Sequence, residues 1–381
     1  MIISDFKRTK DKLLFTPGPL TTSTTVKEAA LIDLGSRDSA FIAIVQQIRQ
    51  KLLALAHVES PNYEAVIIQG SGTFGIESTI TSAIPASGML LNIVNGAYGR
   101  RMSQIARIHH IPLIELMYDE NQLPDLTVIE TLITENPEIT HIAVVHGETT
   151  TGLLNPIEEI GEIAHRLKKT FIVDAMSTFG AYDIDMRALK ISYLISSSNK
   201  CIEGIPGFSY VLAKRIELEK CKKNVRSLSL DLYDQWSGLN TNGQFRFTPP
   251  VHALLAFNEA LIELENEGGI EARAQRYADN NALLIGGMEK LGFTLYLSPD
   301  VRSYIITSFL YPGHPDFSFE VFYSKLNDMG FVIYPGKLSK VDCFRIGNIG
   351  QLYPVDIQNL IDAVEKVIHE MNIVFTEQKK Q

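Results

Sequence analysis

Short apolar runs alternate with longer amphipathic segments through the first two thirds of the chain. Residues 64–69, 89–94, 112–117, 141–145, 170–174, 192–197 and 208–212 are apolar and rich in β-formers, the pattern of short strands covered on both faces. Helix-length stretches fall between most of them. In residues 156–169, Ile157, Ile160, Ile163, Ala164 and Leu167 share one face, and Glu158, Glu159, Glu162 and Lys168 the other. Pro156 suits a first helical turn, and Lys168-Lys169 suit the negative end of the helix dipole. Alternation of this kind predicts an α/β fold: a mixed, mostly parallel seven-stranded sheet with helices on both faces.

After about residue 250 the rhythm changes. Two long helices are expected at 251–267 and 270–291, then strands near 293–297 and 304–310, a helix near 318–329, strands at 331–334 and 343–346, and a final helix at 355–371. This predicts a large α/β domain over 1–260 and a smaller α+β domain over 261–381, with an arm, 1–20, packing on the smaller one. The polar tail 378–381 is expected to fray.

The composition, 45% hydrophobic and 21% charged over 381 residues, is that of a folded globular chain. Its net charge of −9 argues against a general nucleic-acid or anionic-membrane binder and leaves room for a local cationic pocket. Cys201, Cys221 and Cys343 form no CxxC pair. No apolar run reaches the ~18 residues of a membrane helix, and the N-terminus lacks a signal-peptide core, so the expected location is the cytoplasm. His109 and His110 would point apart on a helix, and no metal site is expected.

Gly70-Ser71-Gly72-Thr73-Phe74-Gly75 lies between a strand and a helix. Small residues there let backbone N–H groups approach an anion at a positive helix end. A dinucleotide loop also needs an acid ending the next strand, to hold a ribose hydroxyl. That strand runs instead into Asn95-Gly96-Ala97-Tyr98-Gly99. A nicotinamide dehydrogenase is therefore disfavoured; a structural turn is the plain alternative, and a single bound phosphate fits best, with Ser71 and Thr73 adding hydroxyls.

Asp174 ends one strand, where an open α/β sheet binds ligands, although an N-cap would also place an Asp there. The next strand runs into Ser196-Ser197-Ser198-Asn199-Lys200, followed by a loop containing Gly204, Pro206 and Gly207. Most lysines are merely solvated. A phosphate loop, an acid and a lysine at successive strand ends are, however, the set that pyridoxal phosphate requires. The carboxylate would keep the ring nitrogen protonated, and the lysine, once displaced by a substrate amine, would serve as the base.

Asn199-Lys200 after its serine run, Val173-Asp174-Ala175-Met176-Ser177 and His146-Gly147-Glu148-Thr149-Thr150-Thr151-Gly152 resemble the class V aminotransferases of pyridoxal-phosphate fold type I. Residues 14–22, 95–99, 226–233, 334–337 and 343–350 extend the likeness over nearly the whole chain, and 226–233 and 343–350 resemble the branch that acts on a phosphonate. The resemblance implies that Lys200 binds the cofactor aldehyde and Asp174 the pyridinium nitrogen, while Ser71, Gly72 and Thr73 hold its phosphate. Asn199 lies in the matching lysine motif, Tyr98 would stack on the ring, and Thr149 or Thr150 would bond the ring oxygen. Thr248 would reach the phosphate from a partner subunit, and Arg345 would grip the substrate anion; packing, capping and ion-pair roles are the respective plain alternatives. It further implies a homodimer and ping-pong transfer of an amino group from 2-aminoethylphosphonate to pyruvate. Alanine–glyoxylate or serine–pyruvate chemistry is the alternative, because residues 35–41, with Arg37-Asp38, depart from the aromatic-acidic version of some members.

Overall fold

The computed structural model describes residues 12–336, 338 and 341–375. The first part of the arm, Lys337 and the tail 378–381 lie outside these residues. The central sheet comprises β1 (Tyr63–Gln69), β2 (Met89–Val94), β3 (Leu113–Met117), β4 (Ile139–Val145), β5 (Thr170–Asp174), β6 (Tyr193–Ser197) and β7 (Phe208–Lys214). Its order is β1-β7-β6-β5-β4-β2-β3. Strand β7 is antiparallel to both neighbours and the other pairings are parallel. The C-terminal ends of β1 to β6 therefore share one edge, the edge at which such sheets bind ligands.

The apolar runs are buried because helices cover both faces of the sheet. Ser39–Leu55, Gly72–Ala83, Ala97–Ile108, Ile157–Arg166 and Val251–Glu267 all contribute to one core with the strands. A second core, centred on Phe293, Phe309, Phe322 and Phe344, lies against a three-stranded antiparallel sheet of β8 (Ile306–Leu310), β9 (Tyr334–Pro335) and β10 (Cys343–Gly347), ordered β8-β10-β9. The chain changes core within helix Gly269–Lys290, whose Leu284 and Met288 belong to the second. Residue 260 falls inside helix Val251–Glu267, whose Leu261 and Leu264 still pack in the first core.

Leu13–Leu14 pairs in parallel with Phe331–Val332, and Phe15 is buried in the second core. The expected strand at 293–297 is reduced to a single bridge, Leu295 to Phe309. Two backbone hydrogen bonds make that bridge, from the Tyr296 N–H to the Ser308 carbonyl (3.0 Å) and from the Leu310 N–H to the Thr294 carbonyl (2.9 Å). Among the described residues no helix is long and apolar enough to cross a membrane, and no group of His, Cys, Asp and Glu could hold a metal ion.

Candidate active site

The turn after β1 places Ser71 at the N-cap of helix Gly72–Ala83. The Ser71 side chain makes no capping bond, so the first-turn N–H groups face a cavity of about 250 Å³. Gly72 lets the Met176 side chain lie against the start of the helix, since a Cβ there would displace its sulfur. Ser71, Gly72, Thr73, Tyr98, Asp174, Asn199 and Lys200 all line this cavity. A larger groove of about 740 Å³, lined by His57, Asp183 and Glu271, has no lysine or arginine in its wall and is unsuited to an anionic cofactor.

Asp174 is 4% exposed and accepts from the Met176 N–H at 3.0 Å. Burial, seconded by the charge of Glu148, pushes its carboxyl up to about 7. Burial likewise lowers the Lys200 amine to about 8. Its Nζ donates to the Pro17 carbonyl at 2.6 Å, so the N-terminal segment closes over the lysine. Cys201 points away, its thiol donating to the Ser177 carbonyl at 3.1 Å.

Arg345, on β10, comes from the other unit of the chain. It is 1% exposed, donates through Nη1 to the Thr149 carbonyl (2.7 Å) and through Nε to the Pro335 carbonyl (3.1 Å), and pairs with no carboxylate among the described residues. Its pKa is lowered, chiefly by burial. A buried guanidinium bonded to carbonyls keeps the charge and the planar donors that suit a carboxylate or a phosphonate.

Thr149 and Thr150 part company. The Thr150 hydroxyl donates to Glu148 Oε2 at 2.8 Å, whereas Thr149 is tied to Arg345 through its carbonyl. Thr248 is exposed, and its carbonyl accepts from Gln69 Nε2 at 3.3 Å. Asp38 caps helix Ser39–Leu55 through the Ala40 N–H, with Arg37 exposed beside it.

Two further residues at the site carried no role in the sequence reading. Glu148, fully buried, accepts the N–H groups of Tyr98 and Gly99 at 2.9 Å each and so caps helix Ala97–Ile108 from another strand. Gly96 makes room, since a Cβ there would strike this carboxylate. Arg101 lies over the Tyr98 ring (4.9 Å) and donates to Thr73 Oγ1 at 3.2 Å. The stretch 226–233 supports the phosphate helix: Arg226 donates to the Thr81 and Ile84 carbonyls at its C-terminal end.

A free helix N-terminus, a buried carboxylate short of a cationic partner and a buried amine suit one group together: a phosphate, a protonated ring nitrogen and an aldehyde on a single small molecule. The fold and this donor set define a pyridoxal-phosphate enzyme of fold type I.

The class-V aminotransferase family model matches residues 25–333. The chain is 53% identical over 359 residues to a 2-aminoethylphosphonate–pyruvate transaminase of Vibrio vulnificus (strain YJ016), covering 94% of this chain and 98% of that one. A transaminase of the same name from Bacillus cytotoxicus is 51% identical over 355 residues, covering 93% and 97%. Among solved structures, the ureidoglycine–glyoxylate aminotransferase of Bacillus subtilis superposes with a TM-score of 0.88 at 24% identity, covering 97% and 96% of the two chains. The chain belongs to the class-V aminotransferase family: it is an aminotransferase, and its cofactor is pyridoxal 5'-phosphate.

Proposed function

We propose that the protein moves the amino group of 2-aminoethylphosphonate to pyruvate, giving phosphonoacetaldehyde and L-alanine by a ping-pong mechanism. The observation that carries this reading is Arg345, a buried guanidinium on β10 that pairs with no carboxylate among the described residues and whose charge is felt at the Lys200 amine. Both the donor and the acceptor bring an anion for it, a phosphonate in one half-reaction and a carboxylate in the other. The likeness to the Vibrio and Bacillus transaminases supports the choice of substrates.

When bound, the cofactor supplies an aldehyde that exchanges amines and a ring that withdraws the electron pair left by a departing proton. Ser71, Gly72 and Thr73 would hold its phosphate at the helix N-terminus, with Asn199 beside the lysine and Tyr98 in place to stack on the ring. Asp174 would pair with the ring nitrogen, whose N–H would supply the cationic partner that its carboxylate lacks. Of the two threonines, Thr149 would be the one to bond the ring oxygen, because the Thr150 hydroxyl already donates to Glu148. Lys200, freed by the substrate amine, takes the proton from the amine-bearing carbon and returns one in the other half-reaction. Its amine, lowered to about 8 by burial, is suited to that work near neutral pH.

We assign the active form as a homodimer, with Thr248 presented to the partner's cofactor phosphate. Phe74, Leu228 and Phe247 are exposed apolar side chains, the first in the phosphate loop and the last beside Thr248, and form the surface a second copy would cover. The buried cysteines, with no CxxC pair, and the acidic balance agree with a cytoplasmic enzyme that binds neither nucleic acid nor membrane.

The test is the absorption spectrum of the cofactor-loaded protein. Its visible band should fade with 2-aminoethylphosphonate and return with pyruvate. A band indifferent to the phosphonate but bleached by L-alanine or L-serine would favour the alanine–glyoxylate or serine–pyruvate reading.

A further inference from the structure

Helix Gly269–Lys290 carries Arg273, Arg276 and Tyr277, one turn apart on a single buried face. Their common partner is Glu203, three residues after Lys200 and 1% exposed. Glu203 Oε1 accepts from Arg276 Nη2 at 2.8 Å and from the Tyr277 hydroxyl at 2.5 Å. Arg273 Nη1 donates to the Cys201 carbonyl at 2.6 Å and stands 3.5 Å from Glu203. The lysine loop is thereby fastened to the helix at two points.

The same helix grips the loop that leaves the Arg345 strand. Arg276 Nη1 donates to the Gly350 carbonyl at 2.6 Å, and the Tyr277 hydroxyl accepts the Gly350 N–H at 3.1 Å. Gln351 Nε2 closes the circuit on Glu203 Oε2 at 2.8 Å. Glu267 balances the second guanidinium, so the cluster sets two carboxylates against two arginines. Glu203 also adopts φ of 65°, a left-handed conformation that costs any residue with a Cβ. A glutamate kept in that conformation points to a demand for its carboxylate.

We infer that Glu203 is a positioning residue that sets the separation between Lys200 and Arg345, because its carboxylate ties the lysine loop and the loop after Arg345 to one helix. This rests on the role proposed for Arg345. A substrate with an amine at one end and an anion at the other spans that separation, whereas an amine without an anion does not feel it. Anchoring of this kind therefore acts on discrimination between the two.

The experiment compares single-turnover bleaching of the cofactor-loaded enzyme by 2-aminoethylphosphonate and by n-propylamine, in wild type, Glu203→Gln and Tyr277→Phe. The phosphonate-to-propylamine rate ratio should fall about tenfold in Glu203→Gln and about threefold in Tyr277→Phe, with cofactor content unchanged. Tyr277→Phe removes only the bridging hydroxyl and carries the test if Glu203→Gln does not fold. An unchanged ratio with a lowered melting temperature, or equal slowing with both amines, would overturn the inference and leave the cluster a support of the fold. If the wild type ignores the phosphonate, the substrate reading fails instead. The ratio is then measured with L-alanine against ethylamine and decides the coupling in the same way.

Discussion

Lys200 Nζ donates to the Pro17 carbonyl across 183 positions of sequence, at 2.6 Å. Gly18 follows with φ of 115°, and a Cβ there would stand 2.7 Å from Nζ and 2.9 Å from the Asn199 carbonyl. Close behind, the Gly347 N–H donates to the Phe15 carbonyl at 3.1 Å, so this segment is wedged between the lysine and β10. Glycine at 18 meets both a conformational and a contact requirement. Gly18→Ala should cost about 1–3 kcal/mol of stability and lower kcat about tenfold or more by displacing the amine. Denaturant unfolding and steady-state kinetics check this. A folded variant with wild-type kinetics would show that the segment does not place the lysine.

Lys200→Ala removes the amine and should lower turnover by at least about a thousandfold. It also removes a buried, protonatable group whose pKa is lowered by burial. The variant should therefore melt no lower than the wild type at neutral pH. Turnover near the wild-type value would exclude the lysine from proton transfer.

Arg345→Met removes a guanidinium whose hydrogen bonds in the structure run to the Thr149 and Pro335 carbonyls. Loss of a charge-assisted contact to the substrate anion should raise KM for both 2-aminoethylphosphonate and pyruvate about thirtyfold, near 2 kcal/mol. Steady-state kinetics with each substrate varied in turn separates the two half-reactions. An unchanged KM for both would place the anion elsewhere.

Glu148 performs its task from outside the helix it caps. Glu148→Ala leaves the Tyr98 and Gly99 N–H groups buried without an acceptor, and should destabilise the protein by about 2–4 kcal/mol. Glu148→Gln keeps an oxygen for those donors and lets Thr150 rotate to accept, so its cost should stay below about 1.5 kcal/mol. Chemical denaturation of both variants tests this order. Equal losses would mean that charge, rather than hydrogen bonding, holds the helix end.

The sheet was legible because its strands are buried on both faces and read as uninterrupted apolar runs; β5 and β2 begin and end at the expected residues. The placement of Ser71, Asp174 and Lys200 around one cavity was legible because each follows or ends a strand, where chain order alone puts it on one edge. Glu148, Arg101 and Glu203 were not. Their duties arise from contacts with residues 49, 28 and 73 positions away, and nothing local distinguishes them from surface charges. The stretch 226–233, which suggested the phosphonate branch, turns out to buttress the C-terminal end of the phosphate helix. None of these residues lines the cavity at Lys200 within the chain itself.

Asp174 gives the clearest dependence on pH. In the cofactor-free protein its carboxyl is raised, mainly by burial, from 3.8 to about 7. Between those values the folded chain binds more protons at this site than the unfolded chain, so its contribution to stability falls as pH rises and levels off above about 7. Three pH units correspond to about 4 kcal/mol at most, and water penetration reduces the effective figure. Asp174→Asn does not titrate. Without cofactor it should match the wild type near pH 4 and be more stable at pH 8 by about 2 kcal/mol, roughly 2–4 °C in Tm. Adding pyridoxal phosphate should reverse the order, because the protonated ring nitrogen supplies the partner that the wild-type carboxylate lacks and the amide does not need. Melting curves from pH 4 to 8, with and without cofactor, test both halves. A stability difference independent of pH would mean that burial does not raise this carboxyl, and an equal gain from cofactor in both proteins would mean that Asp174 does not face the ring nitrogen.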